Sequence, residues 1–184
     1  DAREGQDIEF SVGGVPVNES GNLHGAGFAN LSFVIPELVQ SLRVLEGPFD
    51  PRQGNYAVAG SADYELGLQK RGVTLKYSYG TFNSHRAVAL WGPAGESSHT
   101  FGGAELRSSD GYGQNRASKS GSGMGQYEGR LGETGSYRIL ATAYANDYKS
   151  AGLLRESDVR SGRKGFYDTY DFAQGGSSSR FSLA

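Results

Sequence analysis

The chain has 184 residues, no cysteine and a formal net charge of −2. These values exclude a disulfide framework and a cysteine-based metal site, and they give no electrostatic case for a nucleic-acid partner. Glycine is enriched, at 29 of 184 residues, or roughly 16% against an average of about 7%; because 11 Tyr and 9 Phe accompany it, the composition predicts many short strands joined by turns.

The first seventy residues predict a small mixed α/β unit. Apolar residues between turn signals predict strands at 8–12, 15–17, 42–46 and 62–69. A polar, glycine-rich loop covers 18–30, and Pro36 is expected in the first turn of a short helix. The Gly47-Pro48 corner ends the strand at 42–46.

After residue 70 the pattern contains only strands and turns. Strands are predicted at 73–79, 85–91, 98–107, 124–131, 137–148 and 177–184. Tight turns at 93–96 and 132–135 are predicted to alternate with long polar loops at 109–122 and 149–176. Several strands carry charge on one face and apolar or small residues on the other, so this half is predicted to be an antiparallel sheet with two unlike faces.

Two architectures fit this alternation. A soluble antiparallel sandwich or barrel would turn its apolar face to a core, whereas an outer-membrane barrel would turn it to lipid and its polar face to the lumen. No apolar run reaches the roughly 18 residues of a membrane helix. No signal peptide opens the chain, and both of its ends look like the interior of a longer protein, so an internal fragment is expected.

A series of short motifs in the first half has a counterpart in a known family. The pieces are Gly13-Gly14-Val15-Pro16, then Ile35-Pro36, then the stretch 42–48, which reads LRVLEGP. In this order they resemble the second half of the plug domain of TonB-dependent outer-membrane receptors. Gly14 and Glu46 depart from the acidic residue and the arginine that the family has at these places, which indicates a divergent subgroup.

The resemblance implies a mainly β chain: a partial plug domain (mixed α/β) at 1–70, followed at 71–184 by about the first six antiparallel meander strands of a transmembrane β-barrel. The implied function is uptake across the outer membrane of a scarce nutrient, such as a ferric siderophore, a cobalamin-like complex or a glycan, with the plug gating the barrel. The implied partners are a small-molecule or metal-chelate substrate, outer-membrane lipid, and TonB through an N-terminal segment missing from this chain. The alternative is a soluble secreted β-sandwich or barrel domain that binds glycans.

Motifs for catalysis are absent from the sequence. There is no G-x-S-x-G nucleophile motif and no G-x-G-x-x-G opening a helix. The three histidines, His24, His85 and His99, do not have metal-ligand spacing. No catalytic residue, metal site or cofactor is therefore expected, and the protein is not expected to be an enzyme. Carboxylate pairs near 156–158 and 168–171 fit a solvated loop better than calcium ligands.

The loop 18–30 is the candidate substrate-binding segment. In the family that the chain resembles, plug loops at this place rise toward the outside and contact the substrate. Asn18, Asn22, His24 and Phe28 supply hydrogen-bonding groups and one aromatic surface, as a site for a polar ligand requires. The alternative is a flexible turn in which the glycines only relieve backbone strain.

The alternation also predicts which side chains face the lumen. An arginine on the lipid face near the bilayer midplane costs roughly 2–4 kcal/mol, so charged positions are placed inward. The predicted inward residues are Lys76, Arg86, Glu105, Arg107, Gln126, Glu128, Arg130 and Arg138, which could pair with the plug. The predicted outward residues are Tyr77, Tyr127, Ile139 and Ala141, with Trp91 and Tyr137 as candidates for an aromatic girdle.

Overall fold

The computed structural model describes residues 7–21 and 25–184. In the first part of the chain the strands are β1 (Ile8–Val12), β2 (Val15–Pro16), β3 (Val39–Glu46) and β4 (Gly60–Leu66). A single 3₁₀ turn, Pro36–Leu38, precedes β3 and begins with the proline, as the sequence predicts. These strands form one sheet in the order β2-β1-β4-β3, in which β1 and β4 are parallel and the other pairs antiparallel.

The second part of the chain forms one six-stranded sheet. Its strands are β5 (Gly72–Gly80), β6 (Ser84–Gly92), β7 (Phe101–Ser109), β8 (Ser118–Leu131), β9 (Gly135–Lys149) and β10 (Gly175–Leu183). Each strand pairs antiparallel with the next one in the chain. The predicted antiparallel meander is confirmed, and the proposed domain boundary at residue 70 falls between β4 and β5.

Three connections differ from the prediction. The turn expected at 93–96 is a longer connection over 93–100, because β7 begins at Phe101 and not at residue 98. The polar loop expected at 109–122 ends before Ser118, because the Ser/Gly stretch 118–123 is hydrogen-bonded to β7 on one side and β9 on the other. The loop expected at 149–176 contains a short helix, α1 (Glu156–Arg160). Among the described residues, no helix has the length and apolar character needed to cross a membrane.

One hydrophobic core joins the two sheets. The first part contributes Val12, Val17, Phe33, Ile35, Leu38, Leu66 and Leu68, and the six-stranded sheet contributes Val88, Leu90, Phe101, Met124, Leu140 and Tyr144. Ile35 and Leu38 are fully buried. Because side chains alternate along a strand, this contact defines an inward face of the six-stranded sheet and leaves the other face outward.

The two faces carry the residues that the alternation predicts. Lys76 and Arg86 form ion pairs with Glu37 of the 3₁₀ turn, which places both on the inward face. The remaining predicted inward residues share that face through the strand register and alternation. Tyr77, Tyr127 and Ile139 lie on the opposite face and are exposed. Trp91 and Tyr137 are also exposed there, near the edge that carries connections 93–100 and 132–134.

Candidate functional site

The inward face of the six-stranded sheet has two regions. Its lower part, toward connections 93–100 and 132–134, packs against the first sheet and the 3₁₀ turn. Its upper part, toward connections 81–83, 110–117 and 150–174, carries polar side chains in two cross-strand rows that we call the upper rows. The first row contains Ser84, Ser109, Ser118 and Tyr148, and the second contains Ser78, Arg86, Arg107, Ser120, Asn146 and Ser178.

A recess of about 390 Å³ lies at the β5–β8 end of these rows. Its lining includes Ser78, Arg86, Arg107 and Ser118. Ser84 and Ser109 hydrogen-bond to each other through their hydroxyl groups, 2.8 Å apart. Hydroxyl and guanidinium groups are suited to a polar ligand with hydrogen-bond acceptors.

A charged network forms the floor of the recess. Arg86 and Arg107 are directly opposite each other on β6 and β7, an arrangement of like charges that alone would destabilise the sheet. Glu105 compensates both: its carboxylate accepts from Arg86 Nε at 2.6 Å and from Arg107 Nε at 2.5 Å. Arg86 also donates to both carboxylate oxygens of Glu37, at 2.7 and 2.6 Å. The network therefore connects the 3₁₀ turn Pro36–Leu38 to the six-stranded sheet, which we call the wall.

Burial shields most of these ion pairs from water. The side chain of Glu105 is 2% exposed, that of Glu37 16% and that of Arg86 26%. The hydrogen bonds from Arg86 lower the pKa of Glu37 to about 2, although partial burial opposes the shift. A bidentate pair between a guanidinium and a carboxylate is geometrically specific, so the pair with Arg86 restricts the position of Glu37. Glu37 is therefore held ionised against the wall.

Below the network the contact becomes apolar and close. A Cβ at position 103 would lie 2.8 Å from Leu38 Cδ1 and 3.5 Å from Ile35 Cδ1, so a glycine on β7 is what lets the 3₁₀ turn approach the wall. The backbone N–H of Ile35 points at the sulfur of Met124, 3.3 Å away. The 3₁₀ turn is thus held by the ion pair between Glu37 and Arg86 on its upper side and by close packing of Leu38 at Gly103 on its lower side.

The structure describes two of the four predicted substrate-binding residues. Asn18 donates its side-chain amide to the carbonyls of Ile8 and Gly27, both at 2.9 Å, and accepts from the Phe10 N–H at 2.7 Å. Phe28 is half-buried, and its backbone carbonyl accepts from the backbone N–H of Glu19 at 2.8 Å. Asn22 and His24 lie outside the described residues. Asn18 thus secures the loop to β1, and substrate binding by the loop stays a prediction.

The loop 18–30 is close to the six-stranded sheet at one point. The Nη1 atom of Arg180 on β10 lies 3.8 Å from the Oε1 atom of Glu19. The guanidinium of Arg180 also lies over the ring of Phe33, 4.9 Å from the ring centroid. Arg180 is opposite Tyr144 and so belongs to the inward face, directly below the upper rows. Whatever binds the upper rows would therefore be near this loop as well.

His85, His99 and Asp158 have local partners. His85 Nδ1 lies 2.6 Å from the Tyr77 hydroxyl, and His99 Nδ1 lies 3.1 Å from the carbonyl of Leu66. Asp158 is buried with Arg163 and the Tyr170 hydroxyl as partners. Across residues 7–21 and 25–184, no group of three or more His, Cys, Asp or Glu side chains could hold a metal ion.

The sequence interpretation missed an aromatic cluster at the upper end of the sheet. The rings of Phe82, Tyr112 and Tyr167 follow one another at centroid distances of 6.4 and 6.2 Å, and Phe166 lies 5.2 Å from Tyr167. They come from three different connections, so no local pattern reveals their contact. The aromatic content of these connections was the available signal.

A single asparagine organises the long upper connection. Asn115 Nδ2 lies 2.7, 3.1 and 2.9 Å from the carbonyl oxygens of Ser150, Asp171 and Gln174. Its backbone has a φ of +53°, a conformation that asparagine tolerates better than most residues. Connection 150–174 is therefore fastened to connection 110–117 beside the upper rows.

Comparisons with known proteins identify the fold. No protein-family model matches the chain, and no curated protein matches it significantly. Among solved structures, the copper transporter OprC is similar with a TM-score of 0.59 and 18% identity over 83% of this chain. The pyoverdine outer membrane receptor FpvA from Pseudomonas aeruginosa PAO1, solved with pyoverdine bound, is similar with a TM-score of 0.58 and 17% identity over 84% of this chain.

This chain spans about a quarter of each of those proteins, 24% in both cases. At these identities the likeness concerns the fold: a small sheet seated on the inward face of a meander. Both solved structures are TonB-dependent outer-membrane receptors. The fold predicted from the plug-like motifs is confirmed, and the chain has the fold of part of a TonB-dependent outer-membrane receptor.

Proposed function

We propose that this chain is part of an outer-membrane receptor that transports a scarce small-molecule or metal-chelate nutrient, and that it is not an enzyme. The first part of the chain would belong to the plug, and the six-stranded sheet would belong to the barrel wall. Energy would come from TonB, and movement of the plug would open the path. The solved copper and pyoverdine proteins support transport in general, while the substrate of this chain is left open by them.

The observation that carries this proposal is the contrast between the two faces of the six-stranded sheet. The outward face exposes large apolar side chains, among them Leu75 at 75%, Leu106 at 66% and Phe181 at 76%. A contiguous apolar face of this kind must be shielded from water, and in an outer-membrane barrel it is shielded by lipid. The inward face is polar above and packed against the plug below, as a closed transporter requires.

The contact of Glu37 and Leu38 with the wall, which we call the plug seat, supports gating. Glu37 and Leu38 are neighbours on one 3₁₀ turn, the first held by Arg86 and the second packed at Gly103. A turn of three residues can leave such a seat without unfolding the six-stranded sheet, whose hydrogen bonds run between its own strands. The ion pair and the apolar contact would have to break together when the plug moves.

The alternative, a soluble secreted β-sandwich or barrel domain that binds glycans, makes a different demand on the same residues. It requires a second sheet against the outward face, whereas residues 72–183 form one sheet in sequential order. The upper rows, with their hydroxyl groups, would still suit a glycan. Cellular location and TonB dependence therefore discriminate the two functions better than ligand chemistry does.

The test uses the full-length receptor expressed in a Gram-negative host. Its location is read by membrane fractionation, and accumulation of Cu²⁺, a panel of ferric siderophores and cobalamin is compared between strains with and without TonB. We expect recovery in the outer membrane and TonB-dependent accumulation of at least one compound above an empty-vector control. Recovery in the soluble secreted fraction, or uptake that is equal without TonB, would contradict the proposal.

A further inference from the structure

Arg107, which lines the recess beside the upper rows, has free hydrogen-bonding capacity. Its side chain is 47% exposed, and its Nε and Nη2 atoms donate to Glu105. Within residues 7–21 and 25–184, its Nη1 atom makes no hydrogen bond. A guanidinium with one edge fixed by a buried carboxylate and another edge open is preorganised for a second acceptor.

Two neighbours in the same cross-strand row extend this donor surface. Ser120 is directly opposite Arg107 on β8, and Asn146 is opposite Ser120 on β9. The Asn146 Oδ1 atom accepts from the backbone N–H and hydroxyl of Ser178, at 3.0 and 2.6 Å. This fixes the amide so that its NH₂ group, which has no partner in the described part of the chain, is the free end. Arg107, Ser120 and Asn146 thus offer N–H and O–H donors side by side.

We infer that Arg107, Ser120 and Asn146 bind an oxyanion group of the transported ligand, and that Glu105 and Arg86 transmit its arrival to the plug through Glu37. The inference rests on the proposed function and adds to it the chemistry of the ligand and a route to the plug. The ligand group is a carboxylate or phosphate, since these accept from a guanidinium edge and neighbouring donors at once. No covalent step is involved.

The transmission follows from the charges in the network. Without ligand, the two carboxylates of Glu37 and Glu105 are matched by the two guanidinium groups of Arg86 and Arg107. Lys76 is farther out, 3.4 Å from Glu37 and half exposed. When an oxyanion neutralises Arg107, Glu105 depends on Arg86, which it shares with Glu37, so Glu37 receives less of the Arg86 charge and otherwise has only the longer contact with Lys76.

Glu37 is the partner that yields when the two carboxylates compete. Glu105 is 2% exposed and lies on a strand of the wall that is paired on both sides. It cannot move away from Arg86, and without that partner it would be a buried, unpaired charge. Glu37 lies on a short turn and keeps some contact with water, at 16% exposure. The bound oxyanion therefore weakens the hold of the wall on the plug.

The test measures hydrogen exchange of the plug seat in the full-length receptor in detergent. The Leu38 N–H donates to Ile35 and the Gly67 N–H donates to Leu38, so these amides report opening of the 3₁₀ turn. Arg107→Gln should speed their exchange about fivefold or more, the usual lower range for coupled sites. Inorganic phosphate, compared with chloride at equal ionic strength, should do the same in the wild-type protein and have little further effect in Arg107→Gln.

Arg138→Gln is the matched control. Arg138 is an inward arginine of the same sheet with similar exposure, 42%, and it pairs with Glu128 at 3.3 Å, away from Glu37. Its loss should leave the exchange of the turn unchanged. Glu37→Gln is the positive control, since it removes the ion pair itself and should speed exchange whether or not the relay exists.

The outcomes separate this inference from the proposed function. If Glu37→Gln speeds exchange while Arg107→Gln does not, or if phosphate has no effect on the wild-type protein, the relay is refuted. TonB-dependent uptake could then still be intact. If Arg138→Gln has the effect of Arg107→Gln, the response is a general loss of stability and the relay is also refuted. If the exchange results are as expected but uptake is independent of TonB, the proposed function fails and the relay stands.

Discussion

An arginine at position 141 tests whether the outward face of the six-stranded sheet contacts hydrocarbon. On β9 the outward residues from Tyr137 to Ala145 are all apolar, and Asp147 and Lys149 follow them. This segment is about 26 Å long at roughly 3.3 Å per residue step. With a strand tilt of about 40° it spans about 20 Å of height, which fits within the apolar band of about 25 Å in outer-membrane barrels. Ala141 lies at its centre and Ala145 at its upper end.

Ala141→Arg should therefore cost about 2–4 kcal/mol of unfolding free energy, because the charge lies near the bilayer midplane. Ala145→Arg introduces the same side chain on the same strand about 10 Å higher and should cost about 0–1 kcal/mol. Arg130→Ile, on the inward face, should stay within about 0.5 kcal/mol.

The assay is chemical unfolding of the full-length receptor refolded into lipid vesicles. Equal costs at positions 141 and 145 would show that no depth-dependent lipid face exists. A larger cost for Arg130→Ile than for Ala141→Arg would show that inside and outside are reversed.

Three further predictions concern the plug seat and the upper connections. Arg86 lowers the pKa of Glu37 from 4.5 to about 2. The stabilisation of the folded protein by this ion pair is therefore fully present above pH 4.5 and is lost as the pH falls toward 2. The difference in unfolding free energy between wild type and Glu37→Gln, about 3 kcal/mol at neutral pH, should narrow over that range; a constant difference would contradict the ion pair. Gly103→Ala should cost about 1–3 kcal/mol by overpacking against Leu38, and Leu38→Ala about 2–5 kcal/mol. The double variant should cost less than their sum in the same unfolding assay, and strict additivity would refute the contact. Asn115→Ala should make connection 150–174 more susceptible to limited proteolysis without changing the unfolding of the six-stranded sheet; unchanged cleavage would argue against its fastening role.

Much of the fold follows from the sequence because its signals are local. The alternation in 73–79 and 137–148 predicts two unlike faces, and turn residues locate the ends of most strands. The proline of the 3₁₀ turn is placed correctly for the same reason. The stretch 118–123 is predicted to belong to a polar loop, since it is polar and its glycines have low strand propensity. It is a strand because β7 and β9 satisfy its backbone on both sides, and such pairing depends on residues far away in the chain.

The candidate site belongs mostly to the tertiary structure. The sequence placed Arg86, Glu105 and Arg107 on one face, since alternation alone decides that. It could not connect Arg86 with Glu37, which is 49 residues earlier, or reveal that Gly103 lies beneath Leu38. Ion pairs and close packing depend on where two separately folded sheets meet, and that position is set by the whole buried surface between them. The sequence thus determined the faces of the strands, and the packing of the plug against the wall decided which charges became partners and which donors stayed open.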